Sequence, residues 1–354
     1  MVERFAPSGI ELVRFTNSGT EANTMAIAAA LASTGRKKVL VFHNGYHGGT
    51  LYFPKQSPEV NTNLPHEFVF APYNDIQGTK DVIAKLPHDS LAALLVEPIQ
   101  GSGGCVIGNK DFLQYLDSTA HVLEAVFIVD EVMTSRLAYS GLSSSLGIKP
   151  DIITLGKWIG GGMSFGAFGG KRDGPMFLFD PREGVLSHSG TFNNNTVTMA
   201  AGCAGLDLYT EEEVQRLNDL GDVLKQGIES ILAKHKVRGP KSHKSDIPET
   251  PSVEPSPPII TPHGFDFAAL TLGEEAGMWI SGQGSMLCFH FSGGGEKDLK
   301  TLLWHHLLDN RIYIAQRGFM ALNLELDGSH IEMLLTAVES FIVKYRQALA
   351  TVTE

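Results

Sequence analysis

Five short apolar runs, closed by turn residues and separated mostly by stretches of helical pattern, constrain about the first two hundred residues of this chain. They are KVLVFH (38–43), LAALLVEP (91–98), VFIVDEV (126–132), DIITLG (151–156) and FGAFGG (165–170). Runs this short and this apolar read as strands buried on both faces, and their alternation with helices predicts an α/β fold built on a mostly parallel, helix-covered sheet.

The clearest helix opens at SGTEANTMAIAAALASTG, where Ser18 or Thr20 can cap exposed amides and Glu21 favours the positive helix end. In EEEVQRLNDLGDVLKQGIESILAKHK, Val214, Leu217, Leu220, Leu224, Ile228 and Leu232 share one face and predict a long helix leading out of the large domain. Residues 239–263 are dense in proline, serine and charge and read as a flexible surface insertion. After it a strand pattern (MLCFHFS) and two helical patterns (LKTLLWHHLLDN and IEMLLTAVESFIVKYRQAL) predict a smaller C-terminal α+β domain. The expected division is a large domain over 1–215 and a small one over 216–354, in keeping with a length of 354 residues.

Hydrophobic residues at 43% and charged residues at 19% are ordinary globular usage, and a formal net charge of −11 argues against a nucleic-acid partner. Cys105, Cys203 and Cys288 match neither a disulfide framework nor zinc spacing and read as small core residues. Without a signal-peptide pattern or a long apolar stretch, the expectation is a cytoplasmic protein with no membrane span.

Two residues carry the chemistry. Asp130 closes an apolar strand, where a carboxylate needs a cation or several donors; its plain reading, shared with Glu131, is a cap for the next segment. Lys157 follows DIITLG and precedes WIGGGMSFGAFGG, an apolar setting in which it reads as enclosed. A desolvated lysine is a Schiff-base former, and with a buried carboxylate it points to pyridoxal phosphate. Ser18, Gly19 and Thr20 offer free helix amides to a phosphate, and Tyr46 on a glycine-rich turn offers a ring to a flat cofactor. His43 and His47 have no acidic or thiolate companion in sequence that would make them a metal pair, so no metal is expected.

FTNSGTEAN, GYHGG, APYND, VEPIQG, VDEVMTSR, TLGKWIGGGMSFGAFGG and HSGTFNNNTVTMAAG, in that order and spacing, resemble class III, fold-type I aminotransferases. Within them the chain is similar to the glutamate semialdehyde aminomutase branch, and to β-phenylalanine aminotransferases in DEVMTSR, GGGMSFGAFGG and HSGTFNNN. The resemblance implies a seven-stranded sheet and pyridoxal 5′-phosphate held as an imine by Lys157. Asp130 would then face the ring nitrogen, with Glu97 near it, while Ser18, Gly19 and Thr20 bind the phosphate. Tyr46 and Val132 would cover the ring's two faces, and His47 joins the cofactor set. Thr191 would reach the cofactor of a second subunit, which implies a homodimer with shared sites. Arg317 would pair with a substrate carboxylate and Arg136 would be a second substrate residue. The implied reaction moves an amino group from an amino acid, with an aromatic β-amino acid as the candidate donor, to a keto acid such as 2-oxoglutarate.

The chain departs from the family at its start, which lies almost at the phosphate helix, where relatives carry a further segment. A remnant that binds cofactor without turnover is therefore one alternative, and an aminomutase is another, although the spacing of Arg136 favours the β-amino-acid branch. Gly162-Met163-Ser164-Phe165-Gly166 fits a hydrolase elbow but lacks a helix-forming sequence after it, and GSGG at 101–104 is a poor dinucleotide fingerprint.

Overall fold

The structure is a computed structural model, and it describes residues 1–55, 61–240, 276–293 and 295–349. The part of the proline-rich insertion at 241–263 lies outside the described residues. The chain divides into two compact units, one of Met1–Ser102 with Ile107–Gln215, the other of Gly103–Val106 with Arg216–Glu354.

The first unit is built on seven strands: β1 (Leu12–Thr16), β2 (Lys38–Phe42), β3 (Glu67–Ala71), β4 (Leu91–Val96), β5 (Val126–Asp130), β6 (Ile152–Gly156) and β7 (Gly166–Gly170). Their order across the sheet is β1-β7-β6-β5-β4-β2-β3. Neighbours from β6 to β3 are parallel, while β7 is antiparallel to both β6 and β1, so six strands point one way and β7 alone is reversed. The five runs read from the sequence are all strands, each trimmed by one or two residues at an end.

Helix α1 (Gly19–Thr34) lies on one face of this sheet. Its Ala22, Ala26, Ala29 and Ala30 are fully buried against Val39, Val41, Leu95, Ile128 and Phe168. Small side chains let the helix lie close on the sheet, which an Ala-rich sequence encodes directly. The alternate residues of β6 and β7, Ile153, Leu155 and Ala167, pack on the opposite face with Phe5, Ile10, Ile159 and Phe165. Helix α2 (Ile76–Ile83) contacts β3, and α3 (Lys110–Val122) packs on β4 and β5. Phe112 of α3 meets Phe42 edge-on at 5.4 Å. Each such large apolar side chain taken out of water contributes about 1.5–3 kcal/mol.

Helix α4 (Thr196–Leu208) is followed by α5 (Glu211–Lys234), which crosses from the first unit into the second. On α5 the expected apolar face is largely realised: Val214, Leu217, Leu224, Ile228 and Leu232 are buried and Leu220 is partly so. In the second unit β8 (Met278–Gln283), β9 (Met286–Phe291) and β10 (Phe319–Ala321) form an antiparallel sheet in that order, with α6 (Glu296–Asp309) and α7 (Gly328–Lys344). Cys105 and Cys288 are buried as expected, but Cys203 is exposed, because position 203 faces solvent on α4 rather than the core. Among the described residues no helix is long and apolar enough to cross a membrane.

Candidate active site

Because the strands of an open parallel sheet end together, residues just past their carboxyl ends gather at one edge, where ligands of such folds bind. Asp130 ends β5, Lys157 follows β6, Glu97 follows β4, and the loop carrying Tyr46 and His47 follows β2. Since β1 runs the same way, Ser18, Gly19 and Thr20 arrive at that edge too. The result is a cavity of about 320 Å³ whose lining includes all of these residues, together with Asn23, Val132 and Phe165.

Asp130 is 4% exposed and engaged by three donors. The Val132 amide donates to its Oδ1 at 2.9 Å, while His47 Nδ1–H and Asn23 Nδ2–H each donate to its Oδ2 at 2.8 Å. Burial pushes this carboxyl upward, but His47, the Val132 amide and the Lys157 charge outweigh burial and hold it below the usual carboxylate range. A carboxylate offers about four acceptor positions, so three donors leave room for one more on Oδ1. The capping role considered for this pair falls to Glu131, which accepts from Leu142 N, Ser143 N and Ser143 Oγ at 2.5–2.8 Å and so fixes the start of the short helix Leu142–Leu146.

The start of α1 lines the same cavity. Ser18 is its N-cap, accepting from Glu21 N at 3.1 Å. Gly19 has no room for a side chain, since a Cβ would lie 2.8 Å from Val132 Cγ1. Gly48, with φ of +128°, brings the Tyr46–His47 loop against Thr20, where a Cβ would overlap Thr20 Oγ1. Free amides and the helix dipole favour an anion here.

Lys157 departs from the sequence reading: it is exposed, not enclosed, because it lies just past the end of β6, after Gly156. Its φ of +52° places it in the left-handed region, an uncommon state for a residue with a Cβ and one that clusters at active sites.

Glu97 is buried, its oxygens accepting from Tyr46 N at 2.9 Å and Gly101 N at 3.0 Å. Burial pushes its carboxyl up to about 7, with His47 pulling down and Asp130 pushing up. A raised acid binds its proton more tightly folded than unfolded, so the stability it contributes is complete below about pH 4.5 and lost as pH rises through about 7. Glu97→Gln is therefore expected to remove a fall in unfolding free energy on the order of 3 kcal/mol between pH 4.5 and 8. Urea unfolding across that range checks it; equal pH profiles for the two proteins would show that Glu97 titrates normally.

Residues 2–288 match the class-III aminotransferase family. The chain belongs to the class-III aminotransferases. It is 43% identical over 352 residues to a β-phenylalanine transaminase of Variovorax paradoxus, covering 96% of this chain and 70% of that one. The crystal structure of the β-phenylalanine aminotransferase from that organism superposes with a TM-score of 0.83 over 99% of this chain and 74% of that chain, at 42% identity. A glutamate-1-semialdehyde 2,1-aminomutase of Anaeromyxobacter is 38% identical over 64% of this chain and 55% of its own. A transaminase structure with pyridoxal phosphate bound matches at a TM-score of 0.77 and 25% identity, over 97% of this chain and 77% of that chain.

Class-III aminotransferases are pyridoxal-phosphate enzymes, and the cavity fits that cofactor. A carboxylate with one acceptor position left, a helix start crowded down to glycine and a lysine share this one lining. Of the residues read from the sequence, Ser18, Gly19, Thr20, Tyr46, His47, Glu97, Asp130, Val132 and Lys157 line this one cavity. Thr191 lines a second, of about 520 Å³, with Asn17 and Ser164. Arg136 lines neither; burial lowers its pKa and its carbonyl accepts from Tyr209 OH at 2.9 Å. Arg317 belongs to the second unit, where it is exposed and lies 5.3 Å from the Phe319 ring centre.

Two residues of the Asp130 cluster escaped the sequence reading: Asn23, 1% exposed, and Thr154, fully buried and paired in register with Asp130. One signal was available. Asn23 occupies the buried stripe of α1 with Ala26, Ile27 and Ala30, where a polar side chain needs a partner.

Proposed function

We propose that this class-III aminotransferase takes its amino group from a β-amino acid, aromatic at the β carbon, and passes it to 2-oxoglutarate. The observation that carries the active-site reading is the convergence of Lys157, Asp130 and the α1 amides on one cavity. The β-amino-acid preference rests on the likeness to the Variovorax enzyme, which spans 96% of this chain where the aminomutase likeness spans 64%.

Bound there, pyridoxal phosphate supplies a carbonyl that accepts the amino group and a ring that withdraws electrons from the carbon losing its proton. Lys157 would hold the cofactor and, once displaced by the amine, would move the proton lost by the amine-bearing carbon over to the cofactor. Asp130 accepts the ring N–H and favours the protonated ring, as an opposite charge nearby raises such a pKa by about 1–3 units. The amides at Ser18, Gly19 and Thr20 bind the phosphate, and Tyr46 and Val132 cover the ring. Glu97 and His47 set the charge around Asp130. Arg317, whose planar fork suits a carboxylate, is the proposed substrate anchor, with Arg136 a second substrate residue.

Two copies are proposed to form a homodimer with Thr191 of each reaching the other's phosphate. Thr191 sits beside Phe192, 71% exposed, and near Val197, 63% exposed, an apolar surface suited to burial against a second copy. The test of the substrate reading is amino transfer to 2-oxoglutarate from β-phenylalanine, α-phenylalanine and β-alanine. A kcat/KM highest for β-phenylalanine supports it; preference for α-phenylalanine, or conversion of glutamate semialdehyde without an acceptor, overturns it.

A further inference from the structure

Asp130 is held by a neighbour whose every polar atom is committed. Asn23 donates one N–H to Asp130 Oδ2 at 2.8 Å and the other to the backbone oxygen of His47 at 3.1 Å. Its Oδ1 accepts from Thr154 Oγ1 at 2.7 Å. Carboxylate and carbonyl only accept, so the amide nitrogen must face them, and the Thr154 hydroxyl completes the assignment. The four residues come from different places: Asn23 from α1, His47 from the loop after β2, Asp130 from the end of β5 and Thr154 from β6. All are at least nine-tenths buried.

We propose that Asn23, oriented by Thr154, is a positioning residue for the reaction: it ties Asp130 and His47 together so that the remaining acceptor position on Asp130 Oδ1 stays aimed at the cofactor ring. The geometry makes the role specific. Val132 N fills one site on Oδ1, while Asn23 and His47 fill Oδ2, so rotation of the carboxylate would break three hydrogen bonds at once. Without Asn23, Oδ2 loses a donor, the His47 carbonyl loses its bond to α1, and the carboxylate can turn. The cost appears where Asp130 acts, in the protonation of the ring nitrogen, and not in the grip on substrate.

This inference rests on the pyridoxal-phosphate reading of the site, and the test separates the two. Holoenzyme is prepared with pyridoxal phosphate labelled with ¹⁵N at the ring nitrogen, as wild type, Asn23→Leu and Thr154→Val. A wild type that shows a protonated ring nitrogen and transaminates establishes the site. Asn23→Leu is then expected to move the ¹⁵N resonance toward the unprotonated position and to lower kcat by roughly 10- to 100-fold, the range for losing a hydrogen bond to a charged group, with KM little changed. Thr154→Val, which removes only the hydroxyl, is expected to shift both readouts the same way by less. If Asn23→Leu does not fold, Thr154→Val decides. A folded variant that keeps the wild-type resonance and kcat overturns the proposal. A wild type with no bound cofactor would instead overturn the functional reading itself.

Discussion

Replacing Lys157 with alanine is expected to lower transamination by about 10³-fold or more, because one amine both holds the cofactor and moves the proton at the reacting carbon. The ammonium also contributes to keeping Asp130 ionised. Phosphate and ring contacts lie on other elements of the cavity lining, so the variant is expected to fold and still bind pyridoxal phosphate non-covalently. Steady-state assays beside an equilibrium measurement of cofactor affinity check this. A Lys157→Ala enzyme within about tenfold of wild type would remove Lys157 from the proton-transfer step, since a positioned acid–base group contributes roughly 10²–10⁴.

Asp130→Asn is expected to cost about 10²–10³ in kcat, the range for removing one preorganised electrostatic stabiliser. Asparagine matches aspartate in size but carries no charge, so it cannot favour the protonated ring nitrogen. It also presents an amide to a cluster in which Val132 N, His47 Nδ1 and Asn23 Nδ2 all donate, and at least one of these would meet a donor. The loss is expected in kcat more than in KM, because the carboxylate faces cofactor, not substrate. Unchanged kcat in a folded, cofactor-loaded Asp130→Asn protein would refute the ring-nitrogen role.

The strands that place Asp130, Glu97 and Lys157 were legible because parallel-sheet strands are apolar throughout, and α1 because Ser18 and the alanines mark its cap and packing face. The edge strands β1 and β3 were not read: LVRFT and EFVFA are partly exposed and mix polar with apolar residues, so they lack the continuous signal of buried strands. Lys157 reads as enclosed because its apolar sequence neighbours are buried in the sheet and the turn after it, while Lys157 itself, just past the strand end, is exposed and lines the cavity. Asn23 and Thr154 are far from Asp130 in sequence and join it only through strand order and the packing of α1, which no local pattern records. Glu131 takes the capping role read for this pair, but at a helix eleven residues onward that local sequence does not point to.

The most direct measurement is to load the purified protein with pyridoxal phosphate, reduce it with borohydride, and locate the attached cofactor by peptide mass spectrometry. A single modified lysine at Lys157, lost when β-phenylalanine is added before reduction, is the predicted result. Attachment at another lysine, or none, would contradict the assignment of Lys157 and with it the proposed chemistry of the site.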